Sequence, residues 1–302
     1  MKSLRAVWIV TAVVAGAALA AGCIETDQEF TLNPDGSGKV VYQVVTIPAQ
    51  IGVAERPEPP EVTTKRSVVE LLNRSRGVAA WSDVQYALRK DGRIWFKGTA
   101  YFDRFADLKL HLMKASSFVW ARDDQGGMVL RMTPLRRDDV ILRPPPKVSD
   151  AEVAERIKAQ RQKWYQTKQT MGYAVAALKI QLTFHLPGDL REAANFTPMP
   201  DGSVTMKFEG EKMFHAMDEL MADDAFMDKA VRGGVEVVQA GPGTNEVINE
   251  RVFGLKGPAF VRVAGDLKTL FDYRAEVAAA KRDYPAMMKR QGLDQVQAET
   301  VP

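Results

Sequence analysis

A catalytic or metal site needs side chains that can move protons, attack an electrophile or hold a cation, and this chain offers few in useful patterns. Its three histidines, His111, His185 and His215, have no close spacing that would set two of them on one helix or strand face as metal ligands. No Gly-x-Ser-x-Gly elbow, His-Glu-x-x-His pair or phosphate loop ending in Gly-Lys-Ser/Thr occurs. Gly241-Pro242-Gly243 looks superficially like a phosphate cradle, but no Lys-Ser/Thr follows it and Pro242 removes a needed amide, so it reads as a turn. Asn33, Asp35, Ser37 and Gly38 mimic the start of a calcium loop. The mimicry ends at Val44, the twelfth position, where a bidentate Glu is required. The acidic pairs Asp123-Asp124, Asp138-Asp139 and Asp223-Asp224 read as solvated turn and cap residues, although a carboxylate-pair hydrolase can draw its two acids from distant parts of a chain. No catalytic residue, cofactor or metal ligand is therefore assigned.

The exception is Cys23, the sole cysteine among 302 residues. An unpaired thiol has no use in an oxidising compartment unless it is modified. What precedes it gives the reason for expecting export. Lys2 and Arg5 make a positive start, and Ala6 to Ala21 is apolar except for Thr11. That run is shorter than the roughly 20 apolar residues of a bilayer span and suits the core of a signal peptide.

Leu19-Ala20-Ala21-Gly22-Cys23 resembles a bacterial lipobox, with Ala20 where Leu is commonest. The resemblance implies cleavage between Gly22 and Cys23, diacylation of the Cys23 sulfur and acylation of its new amine. Several acyl chains on one residue anchor stably, whereas one is marginal. Ile24 is not the Asp that retains enterobacterial lipoproteins in the inner membrane, which is compatible with outer-membrane sorting. The expected location is the cell envelope, membrane-anchored on the periplasmic or extracellular side.

Once residues 1–22 leave, taking Lys2 and Arg5 with them, the formal charge of +3 falls to near zero. Such a chain gives no electrostatic case for nucleic acid. A hydrophobic content of 46% is that of a globular protein and excludes disorder throughout. With the one cysteine modified, the core must hold by packing alone.

The elements follow from turn chemistry and hydrophobic period. Glu29–Leu32, the turn Asn33–Gly38 and Lys39–Thr46 predict a hairpin. Glu55–Glu61 is a Pro- and Glu-rich connector, after which Ser67 should cap a helix from Val68 to Arg76, ended by Gly77. Val84, Tyr86 and Leu88 alternate, as do Ile94, Phe96 and Ala100. A three-residue loop, Lys90-Asp91-Gly92, would set Leu88 opposite Ile94 and keep one face apolar, whereas a two-residue loop would mix the faces. Asp103 should begin a short helix carrying Phe105, Leu108 and Leu112, followed by a hairpin of Ser117–Arg122 and Met128–Met132. Pro144-Pro145-Pro146 suggests a sub-domain boundary, dividing the mature chain into an α+β hairpin region at 23–143 and an α+β region at 144–302, or joining both in one domain.

Beyond the prolines, Ser149 or Asp150 should cap the longest helix, running to about Met171, with Val153, Ile157, Trp164 and Met171 in one stripe. Its Lys158, Arg161, Lys163 and Lys168 read as a solvated face, or as a surface for anionic lipid. Leu178 to Leu186 alternates cleanly as a strand, and Ser203–Glu209 makes another. Helices are expected around Phe214–Met221 and before Gly233-Gly234, strands at Val235–Gln239 and Ala259–Ala264, and a last helix over Tyr273–Gln291 with Val277, Tyr284 and Met288 inward.

A cysteine, a short spacer, a strand and Asp35-Gly36-Ser37-Gly38 leading into a second strand resemble the opening of LppM-like envelope lipoproteins, which are β-rich and mostly without assigned activity. The run from Leu178 through Pro187-Gly188 to Asp201-Gly202 and Ser203 is similar to the same domains. The expected fold is α+β, an antiparallel hairpin-rich sheet packed by several helices. The expected role is non-catalytic: binding or assembly in the envelope, for lipid or another apolar ligand, with the membrane engaged through acylated Cys23. Docking of an envelope protein without a small-molecule site is the alternative, and an envelope hydrolase the third. Trp95, Tyr101, Trp120 and Trp164 fall on or near non-core faces, where they would line a groove or pack against a helix.

Overall fold

The computed structural model describes residues 25–47, 59–110, 117–133, 148–240 and 245–296. The first strand, β1 (Glu25–Leu32), pairs with β2 (Gly38–Thr46) in the expected hairpin, although it begins already at Glu25. In the turn, Asp35 accepts hydrogen bonds from the Ser37 amide (2.9 Å) and hydroxyl (2.7 Å). Asn33 bonds the Ser37 hydroxyl, the Phe271 carbonyl and the Leu270 amide. The residues that mimic a calcium loop therefore hold the turn and tie it to the chain far downstream.

The next helix corrects the expectation. α1 runs Pro60–Arg74, so part of the supposed connector is its first turn, and it stops before Gly77. Pro at the first helical position has its φ already set and lacks only an amide that no helical carbonyl would have taken. Ser67 is an interior residue whose hydroxyl donates to the Thr63 carbonyl.

β3 (Ala80–Leu88) and β4 (Ile94–Phe102) pair with Leu88 opposite Ile94 and Tyr86 opposite Phe96, and Gly92 has φ +79°, the register of the three-residue loop. The helix expected at Asp103 is only a 3-10 turn, Phe105–Asp107, which drops Phe105 into the core. β5 (Ser117–Arg122) and β6 (Met128–Thr133) form the third hairpin.

α2 (Asp150–Ala176) starts in a capping box: the Ser149 amide donates to Glu152 at 2.9 Å and the Glu152 amide to the Ser149 hydroxyl at 3.3 Å. It continues past Met171. β7 (Lys179–His185), β8 (Asp189–Ala194), β9 (Thr197–Pro198) and β10 (Val204–Glu209) follow, then α3 (Gly210–Ala222) and α4 (Asp224–Arg232). Gly210 is required where it stands, because a β-carbon there would lie 1.7 Å from the Val175 carbonyl oxygen.

Two further expectations fail here. Val235–Gln239 is no strand: Val237–Gln239 is a 3-10 turn, and the Gln160 side chain bonds the Val235 carbonyl and the Val237 amide, groups a strand would have paired. The stretch between Gln239 and Ala259, for which no helix is expected, contains α5 (Glu246–Phe253), capped by Asn245 at one end and by left-handed Gly254 at the other. β11 (Phe260–Ala264) and α6 (Tyr273–Arg290) complete the described chain.

The fold is α+β. Among the described residues one sheet has seven strands in the order β3-β4-β2-β1-β7-β10-β9, and the other has four, β5-β6-β11-β8. Every pairing is antiparallel except β1 with β7. Strands from both sides of Pro144 meet in each sheet.

The even-numbered side chains of β1, β2, β4, β7 and β10 face the main core, joined there by Met128 and Leu130 of β6, Val261 and Val263 of β11, and the apolar stripe of α1. A second cluster, built on Met217, Leu220, Met227 and Ile248, belongs to α2–α5. α6 crosses the β3 edge. Its Val277 and Ala280 cover Ala80 and Tyr101, while Met287 reaches the main core and its sulfur accepts the Val84 amide at 3.4 Å. An otherwise open edge is thereby closed.

Phe184 is fully buried, stacks on Phe30 with ring centroids 4.9 Å apart, and meets Phe105, Phe118 and Phe196 edgewise or tilted. Phe184→Ala should cost about 3–5 kcal/mol, the usual range for a buried phenylalanine. Equilibrium denaturant unfolding checks this; a loss below about 1 kcal/mol would mean that the two sheets are not joined through this ring.

Candidate functional site

Of the residues singled out in the sequence, Gly22, Cys23, His111, Asp138-Asp139 and the Gly241–Gly243 turn lie outside the described residues. His185 stands on β7 with Nε2 2.7 Å from a Glu29 carboxylate oxygen on β1, and His215 on α3 faces Glu219 at 3.6 Å. Among the described residues no group of three or more His, Cys, Asp or Glu is placed to hold a metal ion. Three of the four acids in the two described pairs have structural partners. Asp123 accepts the Gln125 and Gly127 amides and sits 3.2 Å from Arg262, Asp223 caps α4, and Asp224 meets Arg161 at 2.6 Å.

The basic residues of α2 are largely committed as well. Arg161 donates to the Met221 carbonyl, Lys163 meets Glu236 at 2.8 Å, and Lys168 meets Asp218 at 2.7 Å. Those acids sit on or next to the helices packed against α2, so this face braces the helical layer.

Three of the four exposed-side aromatics are packed. Tyr101 lies under α6 and donates to Glu276 at 3.0 Å; Trp120 packs on the main core and donates to the Asn33 carbonyl; Trp164 stacks on Phe214 and donates to Asp218 at 2.7 Å. Trp95 differs. It stands on the outer face of the seven-stranded sheet and flanks an open concavity of about 530 Å³.

The concavity is built from two cross-strand rows. Register places Glu25, Val45, Trp95 and Ala87 in one line, with Lys179 and Glu209 on the other side of Glu25. The next row is Lys97, Gln43, Asp27, Gln181 and Lys207. Residues of alternate parity point to opposite faces, so these side chains all leave the core. Desolvation within the concavity, then repulsion from Glu29, raises the Asp27 pKa, while Lys207 and Lys97 pull it back. What results is a set of fixed charges beside one aromatic wall. It can hold a polar group by ion pairing and flank it with a ring; its lining carries no histidine or serine to serve as base or nucleophile.

No protein-family model matches the chain, and no curated protein matches it significantly. Among solved structures, the folded domain of the LppM protein of Mycobacterium tuberculosis, determined by NMR, is similar over 63% of this chain and 85% of that one, at 11% identity and a TM-score of 0.26. That protein is a weak structural neighbour. So distant a likeness bears on neither mechanism nor ligand.

Gln28 and Tyr42 face each other across β1 and β2 on the core side, both completely buried. The Gln28 amide nitrogen donates to Thr26 at 3.1 Å, but Gln28 Oε1 and the Tyr42 hydroxyl have no hydrogen-bond partner among the described residues. An orphaned buried polar atom costs about 1–3 kcal/mol.

Tyr42→Phe is therefore expected to be neutral or to stabilise by about 1 kcal/mol in denaturant unfolding. Loss of several kcal/mol would reveal a partner for the hydroxyl. Burial also raises the phenol pKa well above its ordinary 10.0. Below pH 10 the phenol is protonated folded or unfolded, and its contribution is fully present. Above it, the unfolded chain releases a proton that the fold retains, so stability should fall by about 1.4 kcal/mol per pH unit for this group. Tyr42→Phe should remove that share of the alkaline loss.

Proposed function

We propose that the chain is a lipid-anchored lipoprotein of the cell envelope whose folded part works by binding or assembly rather than catalysis, docking a partner on its open sheet face. The observation that carries this reading is how close in sequence to Cys23 the central sheet already lies. Glu25, two residues after Cys23, is already paired on both sides in β1, a central strand. An acylated Cys23 would hold the sheet end close to the membrane, since Ile24 alone separates it from Glu25.

Docking is favoured over an enclosed apolar ligand by the filling of the interior. Phe30, Phe105, Phe118, Phe184 and Phe196 interlock between the sheets, and the concavity beside Trp95 opens outward with charged walls. A site for an apolar ligand is ordinarily concave and lined mainly by apolar side chains. The signal-peptide pattern of residues 1–22 and the lipobox-like Leu19–Cys23 support the anchor.

Cys23→Ala should abolish metabolic palmitate labelling and leave the chain unprocessed at Gly22. Unchanged labelling would overturn the reading. A photocrosslinker in place of Trp95, irradiated in intact cells, should capture an envelope protein that is absent when the crosslinker replaces exposed Tyr165 on α2; equal capture at both sites would remove the outer face as the docking surface.

A further inference from the structure

We propose that the tip of the β3–β4 hairpin and the adjoining sheet edge make a second, acyl-independent contact with an anionic phospholipid surface. The inference rests on the lipoprotein reading above and specifies how the domain stands on its membrane.

Geometry comes first. Glu25, Val45 and Trp95 share one row of the sheet, so Trp95 lies two strand spacings, about 10 Å, from the start of β1. Both β1 and β4 run away from this edge, and the hairpin loop projects beyond it. Cys23 is two residues upstream of Glu25, and an extended chain spans at most about 7 Å over that distance. Anchoring Cys23 in a bilayer therefore brings the Arg89–Arg93 loop and the edge near Lys179 to the headgroup layer.

The edge has the chemistry of such a layer. Arg93 binds both Glu25 and Asp91 at 2.8 Å, and Lys212 binds Glu209 at 3.0 Å, so these three acids share two cations. Arg89, Lys90 and Lys179 make no ion pair among the described residues, although Lys179 stands between Glu25 and Glu209 in the sheet register; with Arg93 and Lys212 they give the edge five cations against these three acids, so it is basic although the mature chain is near neutral. Beside these cations Ile47 and Leu88 are 42% and 40% exposed. Cations and exposed aliphatics on the rim nearest an anchor form the pattern of interfacial binding: phosphates pair with the cations while the apolar groups enter the headgroup boundary.

Each Lys or Arg near an anionic membrane strengthens the contact about fivefold. Replacing Arg89, Lys90 and Lys179 together by Gln should weaken the docked state on the order of 100-fold. The test uses the acylated mature protein in vesicles of phosphatidylcholine alone or with phosphatidylglycerol, read by hydrogen–deuterium exchange of amides 88–93. The expected result is slowed exchange with phosphatidylglycerol only, lost in the triple variant and, for the unaltered protein, at about 1 M salt, where screening shortens to roughly 3 Å. The salt arm needs no variant, so a folding defect cannot decide the outcome. Exchange that is equal on both vesicles and indifferent to salt overturns the inference while leaving the anchor intact. Failure of the protein to stay with either vesicle overturns the lipoprotein reading itself.

Discussion

The pairing of β1 with β7 is the constraint on which the rest depends. It is the one parallel strand pairing among the described residues, and it joins the first described strand to one more than 150 residues later, with Phe30 stacked on Phe184 across the join. Without it the N-terminal hairpins and the C-terminal strands would be separate half-sheets, each with a bare edge. With it, β10 and β9 extend the sheet on one flank, and β4 and β3 extend it on the other. The four-stranded sheet repeats the arrangement, since β6 from before Pro144 pairs with β11 from near the end of the chain. Long-range pairing closes a loop before any contact rewards it, so a fold of this kind gathers its halves slowly and late.

What the sequence made legible was local. The hairpin registers could be argued from alternation alone, and Leu88 does oppose Ile94, because a one-residue slip would turn every apolar side chain to the wrong face. The reciprocal cap at Ser149 and Glu152 was readable for the same reason: its partners are three residues apart. Errors fell where a local signal competed with a tertiary one. Pro59-Pro60-Glu61 reads as a breaker, yet proline is equally a helix starter. Val235 to Gln239 is β-branched enough for a strand, but Gln160 takes its backbone groups and Val237 is drawn into the helical cluster. α5 was missed despite its signals, since Asn245 and Gly254 stand at the right spacing for both caps.

The outer face was less legible than the fold. Its concavity takes side chains from five strands, β1, β2, β4, β7 and β10, and no stretch of sequence places Glu25 beside Lys179 or Trp95. The residues of conventional chemical interest proved poor guides. Asp123 and Asp223 brace turns and caps, and the lysines of α2 brace neighbouring helices. Trp95 was the better pointer, because a large ring on the solvent-facing parity of a strand has to be covered or used.

The contrast between the two faces of the seven-stranded sheet gives the last step. On the inner face, polarity is tolerated only at a cost, and Gln28 and Tyr42 bear it as the orphaned pair in an otherwise aromatic and aliphatic layer. On the outer face, carboxylates and lysines alternate across strands, so that most charges have an opposite one within reach and the surface stays close to neutral. Departures from that balance are then informative, because they do not follow from overall composition. They gather at the edge where β1 begins, where Arg93 is shared by two acids and the cations Arg89, Lys90 and Lys179 outnumber the acids left to meet them. A rim with more cations than acids is prepared for an anion from outside, and the edge nearest Cys23 is where a membrane would supply one.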